Sequence, residues 1–220
     1  SANVDAGFSI VKYTGNGNTS QQSYGHGLSS APELLITKSR DTVTLGTNFW
    51  VVGGTLLGNG GYMFLNVTNA KNTASSYNGN QVPDSEVIYT SGTSDLLGNQ
   101  NGINFITYCF HSVDGFSKIG SYTGNAGSNP ITTGFRPAFL MIKRSSSSGS
   151  WLILDNKRET SNPRHTYLFP DSNGAESVVA SNLGYDVDFD DNGFELKSNG
   201  GDVNASGSEY IFMAFAADPT

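Results

Sequence analysis

Apolar residues fall in short runs along the whole chain, each closed by a cluster of Gly, Asn, Ser, Thr or Asp. In the first half the runs lie near Phe8–Tyr13, Leu34–Lys38, Phe49–Val52, Tyr62–Asn66, Glu86–Tyr89 and Ile103–His111. In the second they lie near Phe116–Tyr122, Phe139–Lys143, Trp151–Leu154, Thr166–Phe169, Tyr185–Phe189, Phe194–Lys197 and Tyr210–Ala216. They are too short for helices and rich in β-branched and aromatic residues, which predicts strands. No segment keeps a helical period between caps. Several runs also fail to alternate: Leu34–Ile36, Trp50–Val52, Phe139–Ile142, Trp151–Leu154 and Tyr210–Phe215 are apolar at every position. A strand with one wet face alternates, so these strands are expected to be covered on both faces, by the other half of the chain or by a neighbouring subunit. Left bare, Leu35, Val51, Leu140 and Met141 would form a patch of the kind that marks an interface. The expectation is an oligomer.

The runs repeat. Gly7-Phe8-Ser9 with Tyr13-Thr14-Gly15-Asn16 returns as Gly115-Phe116-Ser117 with Tyr122-Thr123-Gly124-Asn125. Pro32–Lys38 returns as Pro137–Lys143, Trp50-Val51-Val52 as Trp151-Leu152-Ile153, Tyr62–Leu65 as Tyr167–Phe169, and Phe105–Phe110 as Tyr210–Phe215. The order is conserved throughout, which predicts an all-β fold of two tandem repeats of about 105 residues, 1–113 and 114–220. Short strands at this spacing suggest closely packed β-sandwich or jelly-roll-like units. Trp50 and Trp151 are expected to occupy equivalent core positions.

Composition narrows the function. With 14% charged residues and a net charge of −7, the chain lacks the clustered Lys and Arg that a phosphate backbone requires. No run approaches the length of a membrane-spanning helix, and the first residues lack a signal-peptide pattern, so neither nucleic-acid binding nor membrane insertion is expected. The lone Cys109 sits inside an apolar strand and is expected to be a small core residue. His26, His111 and His165 lie in no nucleophile context, and nothing in the spacing of Asp155, Glu86, Glu159, Glu176 and Glu195 pairs two carboxylates. No enzyme activity and no cofactor are expected. Asp188-x-Asp190-x-Asn192-Gly193 matches the opening of a calcium loop, but the closing acid is missing because Asn199 stands at the twelfth position. A hairpin turning at Asp191-Asn192-Gly193, with Gly193 at positive φ and no bound metal, is the simpler reading. The polar stretch Asn72–Gln81 has the makeup of an adaptable binding loop, which makes Tyr77, Asn78 and Asn80 the candidate receptor-contacting residues.

Tyr108–Phe110, GFSKIGSYTGN (115–125), GFRPAFLMIKR (134–144), WLILDNKR (151–158), Tyr185–Leu196 and Asn204–Gly207 with Tyr210–Phe215 resemble a domain common in tail-fibre and related virion proteins of tailed, often marine, phages. GFSIVKYTGNG, GHGLSSAPELLITKSR and NFWVV are similar to the same family's first unit. The resemblance implies a non-enzymatic virion structural protein, located on the particle surface or tail. It would adsorb to a host receptor such as a surface glycan and assemble with itself, as a trimer, and with other virion proteins. It assigns no catalytic or binding residue. Asp190-Asp191 departs from the uncharged turn common in that family. Two alternatives are a carbohydrate-binding module of a bacterial surface or secreted protein, and a capsid decoration or head-fibre protein.

Overall fold

The punctuation by turn residues becomes a succession of short strands. The computed structural model describes residues 1–42, 48–91, 98–178 and 184–219. Strand accounts for 42% and helix for 3%, so the class is all-β. Along the first half run β1 (Ala2–Asn3), β2 (Phe8–Thr14), β3 (Gln22–Gly25), β4 (Leu34–Ser39), β5 (Val51–Gly53), β6 (Gly61–Phe64), β7 (Asn72–Thr73), β8 (Val87–Thr90) and β9 (Asn104–Phe110). The second half has β10 (Ser117–Thr123), β11 (Asn129–Thr132), β12 (Pro137–Arg144), β13 (Trp151–Asp155), β14 (Thr166–Tyr167), β15 (Ser177–Val178), β16 (Val187–Asp190), β17 (Gly193–Leu196) and β18 (Glu209–Ala216). The chain divides into two compact units, Ser1–Leu65 with Lys71–His111, and Ser112–Thr220 with Asn66–Ala70. Contiguous halves would have placed Asn66–Ala70 in the first unit; it belongs to the second.

In the first unit a seven-stranded sheet runs β1-β2-β9-β4-β5-β6-β7, and β3 pairs with β8 in a second, two-stranded sheet. Strand β9 shows why the chain folds this way. Phe105, Thr107 and Cys109 alternate with Ile106 and Tyr108, and the first three are buried. With Val11 and Tyr13 of β2, Leu35 of β4 and Ile88 of β8, Phe105 and Cys109 form the core between the two sheets. The second unit holds a four-stranded sheet β10-β18-β12-β13, a three-stranded sheet β11-β17-β16 and the pair β14-β15. Its core draws Tyr122, Leu140, Leu152, Phe194, Tyr210 and Phe212 from both larger sheets, with Phe194 edge-on to Phe212 at 5.2 Å. Such edge-to-face pairs add about 1 kcal/mol beyond the area they bury.

The Tyr-Thr-Gly-Asn segments end β2 and β10, and each is locked by a distant asparagine. Tyr13 Oη donates to the Gly98 carbonyl at 2.8 Å, while Asn99 accepts from Asn16 N at 3.2 Å and donates to the Asn18 carbonyl at 3.1 Å. In the second unit Tyr122 Oη donates to the Val203 carbonyl at 2.6 Å, and Asn204 accepts from Asn125 N at 3.0 Å and donates to the Gly127 carbonyl at 2.7 Å. A Cβ on Gly15 would lie 2.3 Å from the Gln100 oxygen, and one on Gly124 the same distance from that of Ala205. Glycine is required there by backbone approach.

Two expectations are corrected. Trp151 is 1% exposed, whereas Trp50 is only half-buried, with Lys38 Nζ 5.9 Å from its ring centroid. Trp151 opens β13 and its N–H is held by Asp171 Oδ1 at 2.8 Å, while Trp50 lies just before β5 begins. The second correction concerns Leu35, Val51, Leu140 and Met141, all of which are buried in the single chain. The missing alternation therefore does not call for a neighbouring subunit.

Candidate functional site

Tyr77, Asn78 and Asn80 lie in a short 3-10 turn, Tyr77–Asn80. Asn78 has φ 50° and Asn80 φ 61°, so the Asn-Gly-Asn composition serves a left-handed backbone. Tyr77 is a core residue, 5% exposed, tilted against Tyr62 at 5.2 Å. Its hydroxyl sits where a Cβ on Gly53 would be, 2.3 Å away, and burial pushes its pKa up. Asn78 is buried as well, and Gly79 N is held by Ser91 Oγ at 2.7 Å, which in turn donates to the Ser76 carbonyl. Of the three expected contact residues Asn80 alone is exposed. Loop composition concealed a plug whose partner, Gly53, is distant in sequence. Beneath the turn lies a partly open cavity of about 10 Å³ among Tyr13, Thr37, Tyr77, Thr90 and Thr107, the size of one water.

The acidic stretch forms a hairpin, with Asp190 opposite Gly193 and Asp191-Asn192 as the turn. Gly193 has φ 158°, nearly extended, and a Cβ there would meet the Ile131 carbonyl. The acids have basic partners: Lys197 Nζ lies 3.3 Å from Asp188 and 2.8 Å from Glu195, and Arg136 lies 3.4 Å from Asp191. Burial raises the pKa of Asp186. Among the described residues no group of three or more His, Cys, Asp or Glu side chains is arranged to hold a metal. The hairpin tip borders two surface depressions. One, of about 270 Å³, is lined by Gly115, Gly134, Phe135, Arg136, Asp191 and Asp218; the other, of about 190 Å³, includes Pro130, Thr132, Asp190 and Asn192. Sequence reasoning missed Arg136 and Asp218, because nothing local sets them beside Asp191.

Residue types that carry chemistry elsewhere are bound into the framework. Cys109 is 0% exposed and its thiol is pushed up to about 12, chiefly by burial. His26 Nδ1 accepts from Leu28 N at 3.1 Å, which leaves the hydrogen on Nε2, 3.0 Å from the Asp84 carbonyl. Glu159 accepts from His165 N and Thr166 N at 2.8 and 3.0 Å. Arg158 bridges Asp155 and Glu176 at 2.6 and 2.8 Å. Arg164 is buried with its guanidinium 4.0 Å from the Phe189 ring centre and Nη1 bonded to Asn162. These contacts fix turns and strand ends.

A family model described as a domain of unknown function (DUF7483) matches residues 1–219. No curated protein matches the chain. Among solved structures, the major capsid protein P2 from Bacteriophage PM2 aligns over 97% of this chain and 100% of that one, at 8% identity and a TM-score of 0.25, a superposition too loose to assign a shared fold.

Proposed function

The chain belongs to the DUF7483 family, and from that premise we propose that it is a non-enzymatic structural protein of a phage virion, built from two copies of one sandwich unit. Its place is a tail fibre or another exposed appendage that adsorbs to a host surface receptor.

The observation that carries the reading is the doubled asparagine lock. Asn99 and Asn204 hold the ends of equivalent strands by the same bonds, to Asn16 and Asn125, under the same tyrosine-to-carbonyl bridge. The strands follow the same order, β2-β9-β4-β5 and β10-β18-β12-β13. Polar groups are spent on backbone, as suits a part whose task is to hold shape outside a cell. The resemblance of GFSKIGSYTGN and GFRPAFLMIKR to tail-fibre domains supplies the location, and the three-fold expectation with it. A hydroxyl-rich glycan is the receptor class that the depression beside Arg136, Asp191 and Asp218 suits, since it offers both donors and acceptors.

Antibody raised against the chain should label a projecting appendage of purified particles in negative stain, and the soluble chain should compete with particles for host cells. Label over the whole capsid would move the protein to the head-decoration reading. Absence of the chain from purified particles would overturn the proposal.

A further inference from the structure

An asparagine followed by glycine occurs seven times along the chain, at Asn16, Asn59, Asn78, Asn101, Asn173, Asn192 and Asn199. Each step is a latent reaction site. The glycine nitrogen can attack the asparagine side-chain carbonyl and close a five-membered ring, because a residue without Cβ leaves the approach open and turns freely. Ring closure needs that N–H released and the local backbone able to rotate. Hydrogen bonding and packing therefore decide which steps can react in the folded chain.

Six of the seven are held. Gly17 N donates to the Asn99 carbonyl at 2.9 Å, Gly102 N to that of Gly15 at 2.8 Å, and Gly200 N to that of Gly184 at 2.6 Å. Gly79 N donates to Ser91 Oγ at 2.7 Å, beside a buried Asn78. Gly193 is buried in its sheet, opposite Asp190 on one side and Thr132 on the other. Gly60 is buried with its carbonyl taken by Ala74 N at 2.9 Å, and a Cβ there would lie 2.6 Å from the Ala74 oxygen, so this step cannot rotate in place.

The step at Asn173 differs on each count. Ser172–Glu176 is exposed at every residue and lies between β14 and β15, in no strand. Gly174 N donates to Ser172 Oγ at 3.0 Å, an exposed hydroxyl with which water competes. Apart from its chain neighbours, a Cβ on Gly174 would meet that hydroxyl at 3.2 Å and nothing else within 4 Å. The ends of the segment are tied, since Asp171 Oδ1 accepts the N–H of Trp151 at 2.8 Å and Glu176 pairs with Arg158 at 2.8 Å.

We propose that Asn173-Gly174 is a site of spontaneous deamidation in the folded chain, with water as the co-reactant. The Gly174 nitrogen gives up its proton to water or hydroxide and bonds to Cγ of Asn173. The side-chain nitrogen takes up a proton and leaves as ammonia. Water then opens the cyclic imide. Breaking the bond from the Asn173 main-chain carbonyl carbon to Gly174 N gives isoaspartate, and breaking the bond from Cγ gives aspartate. Either product puts a carboxylate in place of a neutral amide between Asp171 and Glu176, on a chain of net charge −7. The anchors at both ends do not involve Asn173, so the change alters the surface and leaves the fold in place.

The test ages the full chain in mildly alkaline buffer and counts aspartate and isoaspartate at all seven steps by peptide mass spectrometry. Asn173 should convert at least about tenfold faster than any of the other six, because each of those must open locally before it reacts. In concentrated urea all seven should convert at similar rates, which assigns the difference to the fold. Asn173→Gln should remove the acidic species that ion exchange resolves in the aged protein. An intact Asn173 in the aged folded chain, or one that converts no faster than Asn16 or Asn101, would overturn the proposal, as would an acidic species that persists in Asn173→Gln at its original yield.

Discussion

Asn204 Oδ1 accepts the N–H of Asn125 at 3.0 Å while its Nδ2 donates to the carbonyls of Gly127 and Ser198 at 2.7 and 2.8 Å. Asn129 Nδ2 donates to the same oxygen at 3.0 Å, and the side chain is fully buried, so truncation deprives two donors and two acceptors of their partner. Asn204→Ala is expected to cost about 3 kcal/mol, given roughly 1–3 kcal/mol for a buried polar group left unsatisfied. Asn99→Ala should behave alike in the first unit. Urea unfolding measures both, and a loss below about 0.5 kcal/mol at either position would show that the lock is dispensable.

The two tryptophans should separate in both stability and spectroscopy. Trp151→Ala removes a fully buried ring and is expected to cost about 3–5 kcal/mol, while half-buried Trp50→Ala should cost distinctly less. Acrylamide should quench Trp50 in the Trp151→Phe variant and leave Trp151 almost untouched in Trp50→Phe. Equal quenching would contradict the difference in burial.

How far the sequence carries depends on how local each decision is. Strands β4, β9, β12 and β18 are legible because Leu34–Ile36, Phe105–Phe110, Phe139–Ile142 and Tyr210–Phe215 admit no other element of that length. The Asp191-Asn192 hairpin is legible because alternation on either side fixes its register. Strands β3 and β11 are not: Gln22–Gly25 and Asn129–Thr132 are polar, include a proline in β11, and form because β8 and β17 offer them an edge. Tyr77 reads as a loop residue because the hole it fills is made by Gly53. The depression at Arg136, Asp191 and Asp218 is assembled from three separate segments and leaves no local trace.

Lys143 makes stability depend on pH in an unusual direction. Burial, which outweighs the attraction of Asp202 and Asp171, pulls its pKa from 10.5 to about 8. Between those values the unfolded chain holds the proton and the folded chain does not, so stability rises with pH across that window, by up to about 3 kcal/mol. From about pH 9 Cys109 and then the buried tyrosines reverse the trend: Cys109, Tyr13, Tyr77 and Tyr122 have raised pKa values, so the unfolded chain ionises first. Unfolding free energy should therefore climb from about pH 7.5 towards pH 9 and then fall, and Lys143→Met should flatten the climb. A flat wild-type profile across that interval would refute the assignment.

Gly53→Ala should be destabilising through Tyr77 alone, because the added methyl meets the hydroxyl at 2.3 Å and ring carbons at 3.2 Å. Tyr77→Phe removes the nearest atom, so the double variant should recover part of the loss, and the coupling read from a double-mutant cycle should exceed about 0.5 kcal/mol. Strictly additive losses would mean that the ring does not occupy this hole. Asn80→Ala, on the exposed side of the same turn, should cost about 1 kcal/mol through the left-handed backbone alone and show no coupling to Gly53.

Calcium should be irrelevant to the hairpin. Lys197 already pairs with Asp188 and Glu195 and Arg136 with Asp191, and the closing acid of a calcium loop is missing. Excess EDTA should leave the melting temperature unchanged; a fall of several degrees, restored by calcium, would establish a site there.

The outer strand β11 carries Pro130 in the middle of its pairing with β17. Thr133 N donates towards β17, to the Asn192 carbonyl, so by alternation the Pro130 nitrogen points the other way, to the open rim of the sheet. An arriving strand would find no hydrogen to accept at that position. Wherever copies of the chain are crowded, a rim that refuses stray strands guards against tangling, and restoring the missing hydrogen with Pro130→Val would be an invitation to aggregate.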